Sequence, residues 1–221
     1  MAQAIDQATA QLNKADAKAI IFDWSALIAP VGREIRRAAA DGAKVALVQI
    51  SVSDKGITDL ANEQAITWAD KRAAELVGMR FDADSGNYIS NPDARWRIDE
   101  ITRDGLNELV GQALDEGWSN DVLSTRIKDG YLFSDSRADM IARTETARAD
   151  VQGNMIGYRE SGLVTGKEWS TADDDLVSEE CAANAEQGII GFDENFVSGA
   201  DAPPEHPNCR CDVLPVLGEE E

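Results

Sequence analysis

With 221 residues, 43% of them hydrophobic, the chain is long enough for one domain with a true core and too apolar for wholesale disorder. Its 41 acidic side chains outnumber 21 basic ones, for a formal net charge of −20, which argues against a DNA-coating role because phosphate affinity rests on Lys and Arg. The apolar runs are far too short to span a bilayer. Met1 to Ala10 also lack the basic and apolar regions of a secretion signal, so the chain reads as soluble and intracellular when made.

Residues 2–20 are rich in Ala, Gln, Asp and Lys and lack Gly and Pro, a helical composition with a thin apolar side. Pro30 predicts a kink or a restart, and helix resumes from Glu34 to Leu47 with Ile35, Ala38 and Ala39 on one side. Residues 1–55 hold 6 acids and 7 bases, nearly neutral in an acidic chain. They read as a helical N-terminal arm, either packed on the domain or free to dock through Trp24, Leu27 and Ile28. The turn signal Asp54-Lys55-Gly56 sets the boundary.

Thr58 or Asp59 is expected to cap a helix running to about Val77, with Ile66, Ala69, Ala73, Leu76 and Val77 as its apolar stripe and Gly78 as its stop. Phe81 to Pro92 reads as a loop. A helix from Asp93 to Gly117 follows, then a short one capped by Ser119 or Asn120 and stopped at Gly130. Ser134 or Asp135 caps a helix to about Glu160. Ala138, Ile141, Ala142, Ala149, Gln152 and Ile156 form its stripe, and Glu145 lies in the middle of it. A carboxylate so placed must be paired, hydrogen-bonded or protonated. It is either a general base or a structural clasp, with Arg143 and Arg148 on the flanks.

After Gly162 the periodicity changes. Val164 to Thr171 reads as a strand with Trp169 buried, and Ile189 to Val197 as a second, broken by acids. After Ala172 there are 14 acids and one base, Arg210. The densest stretch is Pro203-Pro204-Glu205-His206-Pro207-Asn208-Cys209-Arg210-Cys211, which holds the single His and two of the three Cys. Its prolines exclude a helix or central strand, so it is a stiff loop carrying soft ligands. With Cys181, the set Cys181, His206, Cys209 and Cys211 completes a tetrahedral zinc site with no open position. The alternative is three small reduced hydrophobes. A disulfide is disfavoured by the odd count.

Ile141-Ala142-Arg143-Thr144-Glu145, Gly157, Lys167-Glu168-Trp169, the acidic run to Cys181 and the terminal Pro-Pro-x-His-Pro-Asn-Cys-Arg-Cys follow one another in a characteristic order. From about Phe133 to Pro215 this resembles the phage Mu protein F-like family of minor head (head morphogenesis) proteins of tailed bacteriophages. Many members look like Cys-x-x-Cys after the acidic run, where this chain has Ser178-Glu179-Glu180-Cys181.

The expected fold is α+β. A mostly helical N-terminal two-thirds, with an arm at 1–55 and a helical part at 56–162, precedes a small β-containing lobe at 163–217 pinned by Cys and His. The resemblance makes Arg143, Thr144, Glu145 and Trp169 structural motif residues. It implies a minor capsid protein of the virion, inside the head at the portal vertex, that meets host cytoplasm during assembly and acts in prohead assembly and DNA passage. The implied partners are the portal protein and major capsid or scaffold proteins, with packaged DNA nearby but not strongly bound and no membrane. Binding is expected, not catalysis. The alternatives are a toxin-like or metal-dependent enzyme using Glu145, or an acidic DNA mimic that binds a basic protein.

Overall fold

The computed structural model describes residue 25 and residues 28–94, 97–130 and 134–218. The fold is α+β. Its elements are α1 (Ile28–Gln49), α2 (Lys55–Leu76), β1 (Met79–Asp82), β2 (Asn87–Ser90), α3 (Ile98–Glu116), α4 (Asn120–Asp129), α5 (Asp135–Ser161), β3 (Val164–Ser170), α6 (Glu179–Glu186), β4 (Ile190–Gly191) and β5 (Asp212–Leu217). They divide into two compact units, residues 1–31 with 73–139 and residues 32–72 with 140–221. None of the described helices is long and apolar enough to cross a membrane.

In the first unit, Phe81–Pro92 is not a plain loop. β1 and β2 form an antiparallel hairpin across the turn before Asn87, with Phe81 and Tyr88 opposite each other and their rings 5.6 Å apart, edge to face. Asp82 accepts hydrogen bonds from the Ser85 backbone and hydroxyl, which closes the turn. α3 begins at Ile98, five residues after the expected start, and ends where Gly117 takes the left-handed conformation at φ 66°. Ser119 caps α4 by accepting from the Val122 amide. Arg137 is buried and donates to the Thr102 hydroxyl and the Ile98 carbonyl.

The second unit rests on α1 and α5. Pro30 lies in the first turn of α1, where its missing N–H costs nothing, so it starts the helix without bending it. The two helices meet backbone to backbone. A Cβ on Gly153 would lie 2.1 Å from the Ala39 carbonyl oxygen, one on Gly42 2.3 Å from that of Asp150, and one on Gly157 2.7 Å from that of Ala43. Only glycine permits this approach. Around it Ala46, Ile50, Val151, Met155, Tyr158, Phe192, Ala202 and Val213 form one apolar core. The described part of the segment read as an arm therefore supplies buried residues: Ile35, Ala39, Ala43, Ala46, Leu47 and Ile50. Trp24 and Leu27 lie outside the described residues, and Ile28 is buried.

α2 is capped by Asp54, which accepts from the Ile57 amide, and not by Thr58 or Asp59. Its buried stripe is mainly alanine (Ala61, Ala65, Ala69), and Ile66 points outward at 37% exposure. Three strands follow α5 in the order β4-β3-β5, all antiparallel. The second strand expected over Ile189–Val197 shrinks to Ile190–Gly191, because Asp193 and Glu194 turn the chain. The main partner of β3 is β5, in a register that sets Trp169 opposite Val213 and Lys167 opposite Pro215.

Candidate metal centre

Three short devices bring the soft ligands together. Ser178 caps α6 by accepting from the Cys181 amide at 3.2 Å, which fixes the buried Cys181 thiol in the first turn of that helix. The loop from Ala202 to Cys211 turns back through the Cys209 amide, which donates to the His206 carbonyl at 3.1 Å. Asn208 makes that turn in the left-handed region at φ 59°, a conformation asparagine tolerates better than most residues.

The Cys181 and Cys209 sulfurs then stand 3.7 Å apart, and both cysteines are free thiols. With a His206 ring nitrogen they form a triple whose ligand atoms all lie within 4.8 Å of one another. His206 Nδ1 is 2.9 Å from the Pro207 carbonyl oxygen. A carbonyl only accepts, so Nδ1 carries the proton and Nε2 keeps its lone pair for a metal. Cys211 is half-buried and touches both other cysteines, but its sulfur stands outside the triple. The hydrogen bond from Cys211 holds the Cys209 thiol down to about 4, and the same bond raises that of Cys211; burial pushes Cys181 up.

The donor set fits a tetrahedral thiophilic ion. Zn–S bonds of about 2.3 Å at tetrahedral angles put two thiolate sulfurs ~3.8 Å apart, close to the separation found here. A disulfide would need about 2.05 Å.

The Arg143–Glu145 segment of α5 holds this loop and locks the unit. The Thr144 hydroxyl donates to the Met140 carbonyl at 2.7 Å and accepts from the Asn208 amide at 2.9 Å. Arg143 donates to the Asn208 side-chain oxygen at 3.4 Å. Arg148 donates to the Pro204 carbonyl at 3.5 Å. From the other side Arg210 grips Asp174 with two bonds of 2.6 Å, tying the ligand loop to the acidic run.

Glu145 is 8% exposed, as its place on the stripe predicts. Its main partner is Arg72 on α2, which donates from Nε to Oε2 at 2.8 Å and from Nη2 to Oε1 at 2.9 Å. Arg148 lies 3.7 Å from Oε1, and Arg143 serves the loop instead. Arg72 is the residue that sequence reasoning missed. Its signal is its position: three residues after Ala69 and one before Ala73, it falls on the alanine stripe that α2 buries.

The model of the family described as Phage Mu protein F like protein matches residues 104–214, about half of the chain, with α5, Cys181 and the ligand loop inside the match and Arg72 outside it. The chain belongs to the phage Mu protein F-like family. It is also 30% identical over 118 residues to a Haemophilus influenzae protein described only as an uncharacterized protein. That stretch covers 53% of this chain and 26% of the relative, so the chain spans about a quarter of the length of the curated relative it matches. No solved structure matches the chain.

Proposed function

We propose that the protein is a minor structural component of a tailed-phage head, acting in head morphogenesis at the portal vertex. The family match supports this reading, because it covers the motif helix and the ligand loop together. The chemistry of Glu145 supports binding over catalysis: both carboxylate oxygens are engaged by one guanidinium in a buried pair. A general base needs a free oxygen within reach of a substrate proton. The ligand loop holds a structural zinc through Cys181, His206 and Cys209, with Cys211 beside them. Zinc supplies no chemistry in this reading; it pins a lobe with a small core of its own.

The strongly acidic surface, −20 overall, keeps the protein off packaged DNA and suits a basic docking surface on the portal or on capsid or scaffold proteins. Heads purified from an infection in which this chain carries an affinity tag test the proposal. The portal protein is expected to co-purify with the chain, and heads made without it are expected to be reduced in number or defective in DNA content. Normal heads lacking the chain would overturn the reading.

A further inference from the structure

We propose that Trp169 is a positioning residue of the metal centre, its buried indole N–H donating to the Cys211 sulfur and holding that thiolate as the fourth ligand. The inference rests on the metal reading above. Trp169 is 2% exposed, and its Nε1 is buried with no hydrogen-bond acceptor at full geometry. A buried orphan N–H costs about 1–3 kcal/mol, so an acceptor in its path matters.

The groups around the indole point to which acceptor that is. Trp169 packs in one cluster with Cys181 and Cys209, and Cys211 lies against the cluster. The Cys211 side chain is within the indole's reach. The ring is held in place by Phe196, edge to face at 5.0 Å, and by the strand register opposite Val213. It has little freedom to find another partner.

A neutral thiol is a weak acceptor and a metal-bound thiolate a strong one, since hydrogen bonds to ionised groups are roughly twice as strong as neutral ones. Cys181, His206 and Cys209 would supply three ligands of a tetrahedral ion. Ser178, which lines the same site, spends its oxygen on capping α6, and a thiolate binds zinc in preference to the neutral Asn208 amide beside it. Cys211 is left for the fourth corner, and once it is a metal-bound thiolate it becomes a stronger acceptor for the indole N–H than the neutral thiol is. Outer-shell donors of this kind orient metal ligands and tune their charge.

Titration of the full chain with Co2+ alone tests this, read by sulfur-to-cobalt charge-transfer absorption. The wild type is expected to show the intensity of three thiolates, and Cys211→Ser that of two. Trp169→Phe keeps an aromatic ring against Phe196 and is expected to bind Co2+ about 10- to 100-fold more weakly, with a displaced charge-transfer band. Equal intensity in Cys211→Ser, or a Trp169→Phe affinity within twofold of wild type, would overturn the inference. A wild-type chain with no thiolate charge transfer at all would instead remove the metal reading beneath it. Should Trp169→Phe fail to fold, the indole 1H–15N resonance of the intact chain decides. It is expected to move downfield on Cd2+ addition in the wild type and not in Cys211→Ser; a resonance that stays in place in the wild type overturns the inference.

Discussion

Arg72 and Glu145, 73 residues apart in the chain, face each other through two parallel hydrogen bonds of 2.8 and 2.9 Å inside the second unit. The fork of the guanidinium matches the carboxylate, and both side chains are nearly withdrawn from water. Removing one partner orphans a buried charge. Glu145→Ala or Arg72→Ala should therefore lower unfolding free energy by about 3–5 kcal/mol, measured by urea titration. Arg72→Lys should also destabilise, because an ammonium cannot reproduce the fork. Replacing the pair together by Met and Leu should recover most of the loss. A single mutant that unfolds like the wild type would contradict the clasp.

The ligand set gives a second prediction. Purified chain should contain one zinc, and chelation should lower the melting temperature, since a ligand bound only by the folded state stabilises it. Cys181→Ser and Cys209→Ser should lose the metal, whereas Cys211→Ser should retain it more weakly. Retention should also fail as pH falls, because thiolates and imidazole must be deprotonated to bind. Elemental analysis across pH 5–8 checks this.

The α1–α5 contact gives a paired test. Gly153→Ala would force a methyl to 2.1 Å from a backbone oxygen that cannot swing away. The strain should cost about 1–3 kcal/mol or more, outweighing the ~1 kcal/mol that alanine gains over glycine in a helix. Gly111→Ala in α3 meets nothing within 4 Å and should stabilise by up to ~1 kcal/mol. Thermal melts of the two variants should move in opposite directions.

Tyr158 sets an alkaline limit. Burial, with Asp212 and Asp150 nearby, pushes its phenol up to about 12 from an ordinary value of 10.0. The folded state thus holds the proton more tightly than the unfolded one. Its contribution is intact below about pH 10 and is lost as pH rises from there toward 12. Tyr158→Phe should flatten stability over that window, while losing the 2.7 Å hydrogen bond to Gln49 at about 1 kcal/mol.

A chain beginning at Lys55 should be unfolded in its second unit. It lacks Ala39, Ala43, Ala46 and Ile50, which are buried there. Circular dichroism and hydrogen exchange check it; a cooperative melt of that fragment would restore the idea of a separable arm.

What the sequence revealed followed from local rules. Helix caps at Ser119 and Ser134, the stop at Gly117 and the burial of Glu145 and Ala149 on α5 all rest on residues a few positions apart. The rest of the expected α5 stripe is misplaced: Ala142 is exposed, and Val151, Met155 and Tyr158 face the core instead. β5 escaped because Pro215 argues against a strand, yet β5 lies at the sheet edge, where a missing N–H is tolerated. The β1–β2 hairpin escaped because Asp, Ser, Gly and Asn dominate it, and only the Phe81–Tyr88 pair marks it as strand. The Arg72 partnership was invisible for a different reason. Glu145 announced that it needed a cation, but the nearest candidates in sequence, Arg143 and Arg148, sit on its own helix. The main partner came from a segment that only tertiary folding brings close.

The second unit is assembled from two pieces of chain with residues 73–139 between them. During synthesis its alanine-rich first piece leaves the ribosome well before Gly153 and Gly157 exist to receive it. At ~5–20 residues per second, the roughly eighty residues from 73 to 153 take about 4–16 s to appear. For that interval the small-residue face of α1 stands without its mate. Premature self-association of nascent chains is then a hazard to which this architecture is exposed and a contiguous domain is not.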